Sequence, residues 1–112
     1  MLNVLSELNK TSGVRGSMLV GSDGIIIAAD LDSTLQDETV GALSASIVAS
    51  VGKAMERLHN ESPRQIMVEA EHGKLFLTDA GLGILTVVAE KDVNIGLVRL
   101  EIKQALAKIR GQ

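Results

Sequence analysis

The pattern of apolar and polar positions changes period several times along the chain, and each change marks an element. Leu2, Leu5 and Leu8 recur at helical spacing ahead of the turn-favouring Thr11-Ser12-Gly13, so residues 2–10 read as a short helix. Val14 to Val20 and Ile25 to Ala29 are apolar, β-rich runs, and Asp23-Gly24 between them supplies the positive backbone angle of a tight hairpin. Asp30 to Thr34 is a polar connection, after which a helix runs from about Gln36 to His59 and stops ahead of Pro63. Gln65 to Glu71 alternates, with Ile66, Val68 and Ala70 opposite Gln65, Met67, Glu69 and Glu71; His72-Gly73 then turns the chain into Lys74 to Asp79, a second hairpin. Gly81 and Gly83 turn into Ile84 to Ala89, a nearly continuous apolar run of the kind covered on both faces, which predicts a central strand. From Asn94, an N-cap residue, Ile95, Val98, Ile102, Ala105 and Ile109 repeat along one face of a last amphipathic helix closed by Gly111. The order suits one α+β domain over residues 1–112, an antiparallel sheet with helices on both faces.

The long helix departs from this ordinary pattern. Val40 to Gly52 carries no charge and nothing more polar than three serines, whereas a helix on one face of a small domain normally has a polar half. At 3.6 residues per turn, Val40, Leu43, Ile47, Val51, Ala54 and Leu58 form one stripe, read as the face that covers the sheet. A flank of Gly41, Ala45, Val48, Gly52 and Met55 is small where a solvated helix would be charged. Glycine costs about 1 kcal/mol relative to alanine inside a helix, so Gly41 and Gly52 point to a close approach by another backbone. These small residues, with the outward Ala42, Ser46, Ala49, Lys53 and Glu56, are read as a surface for self-association or for a partner, the alternative being tight packing inside one subunit.

Composition narrows the function classes. Phe76 is the sole aromatic residue, so one chain cannot build a base-stacking platform or an aromatic cage. A formal net charge of −3, without a run of lysine or arginine, argues against nucleic acid and anionic membranes as partners. The absence of cysteine excludes disulfides and thiolate metal sites. MLNVLSELNK lacks the basic start and apolar run of a secretory signal, and the uncharged helical run is well short of the roughly 20 residues that span a bilayer, so a cytoplasmic protein is expected.

Motifs for chemistry are missing. There is no GxxxxGK[ST] phosphate loop, and Gly81 and Gly83 lack the third glycine of a dinucleotide loop. Asp30, Asp32, Asp37 and Glu38 fail the calcium-loop pattern at Thr34 and Leu35, and His59 and His72 lack ligand spacing, so no metal or cofactor is expected. No nucleophile-elbow pattern singles out a serine, and the chain is read as non-catalytic.

Two stretches carry a resemblance. VRGSMLVGSDGIIIAA resembles the first hairpin of the roadblock family, named for a class of dynein light chains, and TDAGLGILTVVAEKDVNIGLVRLEIKQALAKI resembles its last turn, strand and helix, most specifically at Asn94-Ile95-Gly96-Leu97-Val98-Arg99. The resemblance implies a profilin-like sandwich in the order α-β-β-α-β-β-β-α: a five-stranded antiparallel sheet, the long helix on one face and the two terminal helices on the other. It also implies a homodimer joined through Gln65, Met67 and Glu69 of the third strand and through the Gly41, Ala45, Val48, Gly52, Met55 flank. Members of the family act as dimeric scaffolds or regulators of small Ras-like GTPases, and in bacteria regulate gliding-type GTPases that control cell polarity. The resemblance therefore implies a Ras-like small GTPase partner docked on Ala42, Ser46, Ala49, Lys53 and Glu56, with GTPase activation as a further possibility. Arg64 is the most exposed candidate for an arginine finger, but a surface arginine usually meets solvent or a nearby carboxylate such as Glu61, and no finger is assigned. A structural dimerisation subunit without nucleotide dependence is the alternative. A small-molecule sensory domain is disfavoured, because the predicted core faces of Val, Ile and Leu show no convergent polar groups.

Overall fold

The computed structural model describes residues 1–111 and contains α1 (Leu2–Asn9), β1 (Val14–Val20), β2 (Ile26–Leu31), α2 (Asp37–His59), β3 (Gln65–Glu69), β4 (Gly73–Asp79), β5 (Ile84–Glu90) and α3 (Ile95–Arg110). The five strands form one antiparallel sheet in the order β2-β1-β5-β4-β3. The apolar run of β5 lies at the centre of that order, as its two-sided hydrophobicity predicts. β2 outlasts the expected run: Asp30 and Leu31 still pair with Ser17 and Gly16, and the Asp30 carbonyl accepts from Asn9 Nδ2 at 2.7 Å. β3 ends two residues early because Ala70 N–H bonds back to the Gly73 carbonyl at 2.9 Å, closing the turn.

Alternation along the strands sends side chains to two separate cores. On one face, Val4, Leu5 and Leu8 of α1 and Val98, Ile102, Ala105 and Ile109 of α3 pack on Leu19, Phe76, Leu85, Val87 and Ala89. On the other, α2 packs on Met18, Val20, Leu77 and Ile84. The architecture is thus the α+β sandwich that the resemblance implies. Among the Val, Ile and Leu side chains of these cores the structure also buries four hydroxyls, those of Ser17, Ser44, Thr78 and Thr86. Ser17 Oγ donates to Asn9 Oδ1 at 2.7 Å, fastening α1 to β1, and Thr86 Oγ1 donates to Ser44 Oγ at 3.0 Å across the α2–sheet contact.

Local turn chemistry follows sequence closely. Gly24 has φ +85° and Gly81 φ +85°, the left-handed region that glycine enters without a Cβ penalty. Asp23 Oδ1 accepts from Ile25 N–H and Asp79 Oδ1 from Gly81 N–H, so an aspartate orders each turn. At the start of α3, Asn94 Oδ1 accepts from Leu97 N–H at 3.0 Å, the N-cap bond. Replacing this cap by alanine should cost about 1 kcal/mol. For Asn94→Ala we expect a melting temperature lower by about 4 °C in a circular-dichroism melt, with an unchanged far-UV spectrum.

Candidate functional site

The surface that needs explaining is built on α2, and the rotation of that helix is where the structure corrects the sequence reading. Leu43 is 56% exposed, Leu58 is 70% exposed and Ala54 is exposed, so half of the stripe assigned to the core faces outward. The helix instead lays its small residues on the sheet. Gly41 and Ser44 are buried, and Val40, Ile47, Val48 and Val51 are half-buried. A Cβ on Gly41 would lie 3.3 Å from Ile26 Cγ1, 3.4 Å from Val20 Cγ2 and 3.5 Å from the Gly24 carbonyl. The close approach inferred for Gly41 is therefore within the subunit. Ser44 sits at the contact because its hydroxyl donates to the Val40 carbonyl at 2.7 Å and accepts from Thr86.

The small flank assigned to self-association divides accordingly. Gly41 and Val48 pack inward, and Ala45 lies beside Gly24, whose added Cβ would come 3.9 Å from the Ala45 Cβ. A Cβ on Gly52 would meet nothing within 4 Å. Gly52 and Val48 border an open cleft of about 280 Å³ whose other wall is Ile66, Leu77 and the Gly81–Ile84 segment. Met55 lines a neighbouring groove with Pro63, Arg64 and Gln65. Ala42, Ser46, Ala49, Lys53 and Glu56 are all exposed on the outer side of α2.

With one flank of α2 turned to the 21–24 and 80–83 turns, helical geometry turns the opposite flank, Leu43, Ile47, Ala54 and Leu58, the other way. The strand registers show what lies on this face of the sheet. Leu31 pairs with Gly16, Gly16 with Val88, Val88 with Leu75 and Leu75 with Val68, which makes one continuous cross-strand row. The next row, Ala29, Met18, Thr86, Leu77 and Ile66, carries the Ser44 contact and so lies under α2. The first row is covered less completely: Leu31, Val88 and Leu75 are half-buried and Val68 is 39% exposed. Leu43, Ile47, Ala54 and Leu58 with Leu75, Val88 and Val68 thus leave an apolar face open beside the helix. The row ends at β3, an edge strand bonded only to β4, so its outer backbone groups have no ladder partner among the described residues. Gln65 and Glu69 are exposed on that edge, Glu69 pairs with Lys74 at 3.5 Å, and Met67 is half-buried against the α1/α3 core.

Sequence reasoning placed this apolar flank in the core because a helix without charges has no polar face to fix its rotation. The available signal was the alternation of β3, which puts Val68 on the same side as Ile66 at a strand end. Elsewhere, the loop before α2 is tied by Asp32, whose carboxyl is held below the usual range by the Thr34 N–H, then by the Thr34 hydroxyl and the nearby Arg15. His59 and His72 are exposed, and no group of three or more His, Cys, Asp or Glu is arranged to hold a metal among the described residues. Among the described residues, no helix is long and apolar enough to cross a membrane.

Comparison with known proteins gives a consistent result. The family model described as Roadblock/LC7 domain matches residues 1–89. The match ends before Asn94, so the Asn94–Arg99 start of α3 lies outside it. The uncharacterised protein MJ1340 of Methanocaldococcus jannaschii is 42% identical over 107 residues, covering 96% of this chain and 94% of its own. The Ragulator complex protein LAMTOR2 homolog of Caenorhabditis elegans is 33% identical over 103 residues, covering 91% of this chain and 80% of its own. Among solved structures, Myxococcus xanthus MglB superposes with a TM-score of 0.88 at 24% identity, covering 96% of this chain and 89% of that one.

Proposed function

The chain belongs to the Roadblock/LC7 domain family, and from that membership we propose that it is a non-catalytic homodimeric adaptor that binds a Ras-like small GTPase. The observation that carries the reading is the open apolar face: Leu43, Ile47, Ala54 and Leu58 of α2 beside Val88, Leu75 and Val68, continuous with the unpaired edge of β3. A second copy related by a two-fold axis supplies the same α2 flank and the same edge. Pairing the edges extends the sheet and removes an aggregation hazard. Burial of each exposed leucine then contributes on the order of 1–2 kcal/mol at about 25 cal/mol per Å².

In this dimer the outer residues Ala42, Ser46, Ala49, Lys53 and Glu56 of two helices form one broad surface with few long side chains to displace. Such a surface suits the switch regions of a GTPase, whose conformations depend on bound nucleotide. Preference for one nucleotide state is the physical content of regulation. The involvement of a relative named for the Ragulator complex supports assembly with other proteins.

The test is light scattering of the purified chain with a Ras-like GTPase encoded beside it, loaded in turn with GDP and a non-hydrolysable GTP analogue. The expected result is a dimer that binds one loaded form. Ala49→Arg should weaken that binding at least about tenfold and leave the dimer intact. A dimer that binds both forms equally would favour the structural-subunit reading, and a monomer would overturn the proposal.

A further inference from the structure

Three cations of α3, together with Arg64, which also lines the clefts beside α2, border one groove on the opposite side of the sheet from α2. Arg64 precedes β3, while Arg99, Lys103 and Arg110 stand at i, i+4 and i+11 along α3, within one stripe of that helix. They line a groove of about 630 Å³ whose apolar base includes Ile102 and Leu106. None of the four has a carboxylate at ion-pair distance among the described residues, where the ion pairs are Lys10–Glu7, Arg15–Asp32, His72–Glu71 and Lys74–Glu69. Asp79, the acidic residue in the groove, accepts Gly81 N–H with its carboxylate and offers Arg110 Nη2 only its backbone carbonyl, at 3.3 Å.

A second feature points to an occupant. Thr78 belongs to the groove wall, is 7% exposed, and its buried Oγ1 has no hydrogen-bond partner among the described residues. Strand alternation puts Thr78 on the same face as Phe76, the α3 side. A buried hydroxyl without a partner is costly, and rotation about χ1 that turns Oγ1 toward the groove would let a ligand oxygen relieve it. A chain of net charge −3 thus gathers four cations and an unsatisfied donor at one place.

We infer that this groove binds a small polyphosphate through Arg64, Arg99, Lys103 and Arg110, with the Thr78 hydroxyl donating to a phosphate oxygen. The arginine forks match phosphate oxygens, and the lysine adds a mobile point charge. A linear triphosphate concentrates several negative charges within one groove, whereas an acidic peptide brings one charge per residue and loses backbone entropy on ordering. Extended nucleic acid is a poor fit because the groove contains no aromatic residue on which bases stack. Inorganic polyphosphate and a nucleoside triphosphate share the recognised chemistry.

The test is calorimetric titration of the whole chain at 100 mM salt with sodium tripolyphosphate, with adenosine triphosphate and with a hexaglutamate peptide. Saturable binding of one polyphosphate per chain is expected. Equal affinity for both polyphosphates assigns recognition to the phosphates alone, and tighter adenosine triphosphate adds a nucleoside contact; each supports the inference. Arg99→Glu with Lys103→Glu should weaken binding about 100-fold, and Thr78→Val about tenfold with no loss of melting temperature. Absent saturation, an unchanged affinity in the double variant or in Thr78→Val, or a hexaglutamate peptide that binds as tightly would overturn it. So would dissociation of the dimer by the double variant, since the groove would then belong to the Glu69 and Glu71 side of a second copy. Sedimentation without any GTPase separates that outcome from failure of the adaptor reading.

Discussion

Leu43→Asp combined with Val68→Asp should convert the proposed dimer to a monomer in sedimentation velocity at micromolar concentration. Both side chains are exposed in the isolated subunit, Leu43 at 56% and Val68 at 39%, so neither substitution opens a cavity or strands a charge in a core. The monomer should therefore keep its far-UV spectrum and a cooperative melt. In the dimer both carboxylates would be desolvated against an apolar partner surface. Each should cost about 2 kcal/mol or more of association energy, roughly 30-fold in the dissociation constant. The sites lie on α2 and β3 and should act nearly additively, giving a loss of about 1,000-fold. Ala42→Asp, on the outer side of α2, is the control that leaves the dimer unchanged. A double variant that remains dimeric would move the contact to the cleft-side flank at Gly52 and Met55.

Gly16→Val should destabilise the fold more than any surface change proposed above. A Cβ at this position would stand 2.6 Å from Leu31 Cα, 3.0 Å from the Asp30 carbonyl oxygen and 3.0 Å from Asp32 N. All three are backbone atoms of β2 and its exit, so no side-chain rotation relieves the overlap. The strands must separate, and the Asp32 N–H to Arg15 carbonyl bond of 2.9 Å is lost with them. Overpacking of this kind costs about 3 kcal/mol or more, which should lower the melting temperature by about 10 °C or leave the chain unfolded at 37 °C. Gly52→Ala is the informative contrast: the new Cβ meets nothing within 4 Å, and helix propensity alone should add about 1 kcal/mol. A Gly16→Val variant that melts within 2–3 °C of the parent, against the roughly 10 °C expected from overpacking, would show that the β1–β2 contact yields more easily than its backbone geometry allows.

Most of the architecture was legible because each element carries its own local signal. Asp23-Gly24 and Asp79 ahead of Gly81 are turns whose hydrogen bonds depend on residues one or two positions apart. The α3 stripe of Val98, Ile102, Ala105 and Ile109 was readable because charges such as Arg99, Glu101 and Lys103 mark the other side. β5 announced its central place by being apolar at every position from Ile84 to Ala89 except Thr86.

The candidate surfaces were legible only in part, for two different reasons. On α2 the existence of an unpartnered face followed from the missing charges, but the angle of that face did not. Val40, Leu43, Ile47, Val48, Val51 and Leu58 span more than one side of the helix, so periodicity has no polar boundary from which to fix a rotation. Gly41 and Ser44 decide it, since small residues let the helix axis approach the sheet, and Ser44 reaches Thr86, 42 residues away in the chain. The basic groove escaped notice because Arg64 is separated from Arg99, Lys103 and Arg110 by β4 and β5, although the α3 cations already shared a stripe.

By itself, then, the amino-acid sequence determined the order of elements, the turns, the α3 face and the scarcity of charge along α2. These depend on residues within a few positions of one another, where backbone preference and hydrophobic period are strong. The tertiary structure alone decided which flank of α2 stays open, which row of the sheet is less covered beside it, and which distant cations line one groove with Thr78. Those outcomes depend on strand register and on the close packing permitted at Gly41 and Ser44, long-range contacts whose energies no local window contains.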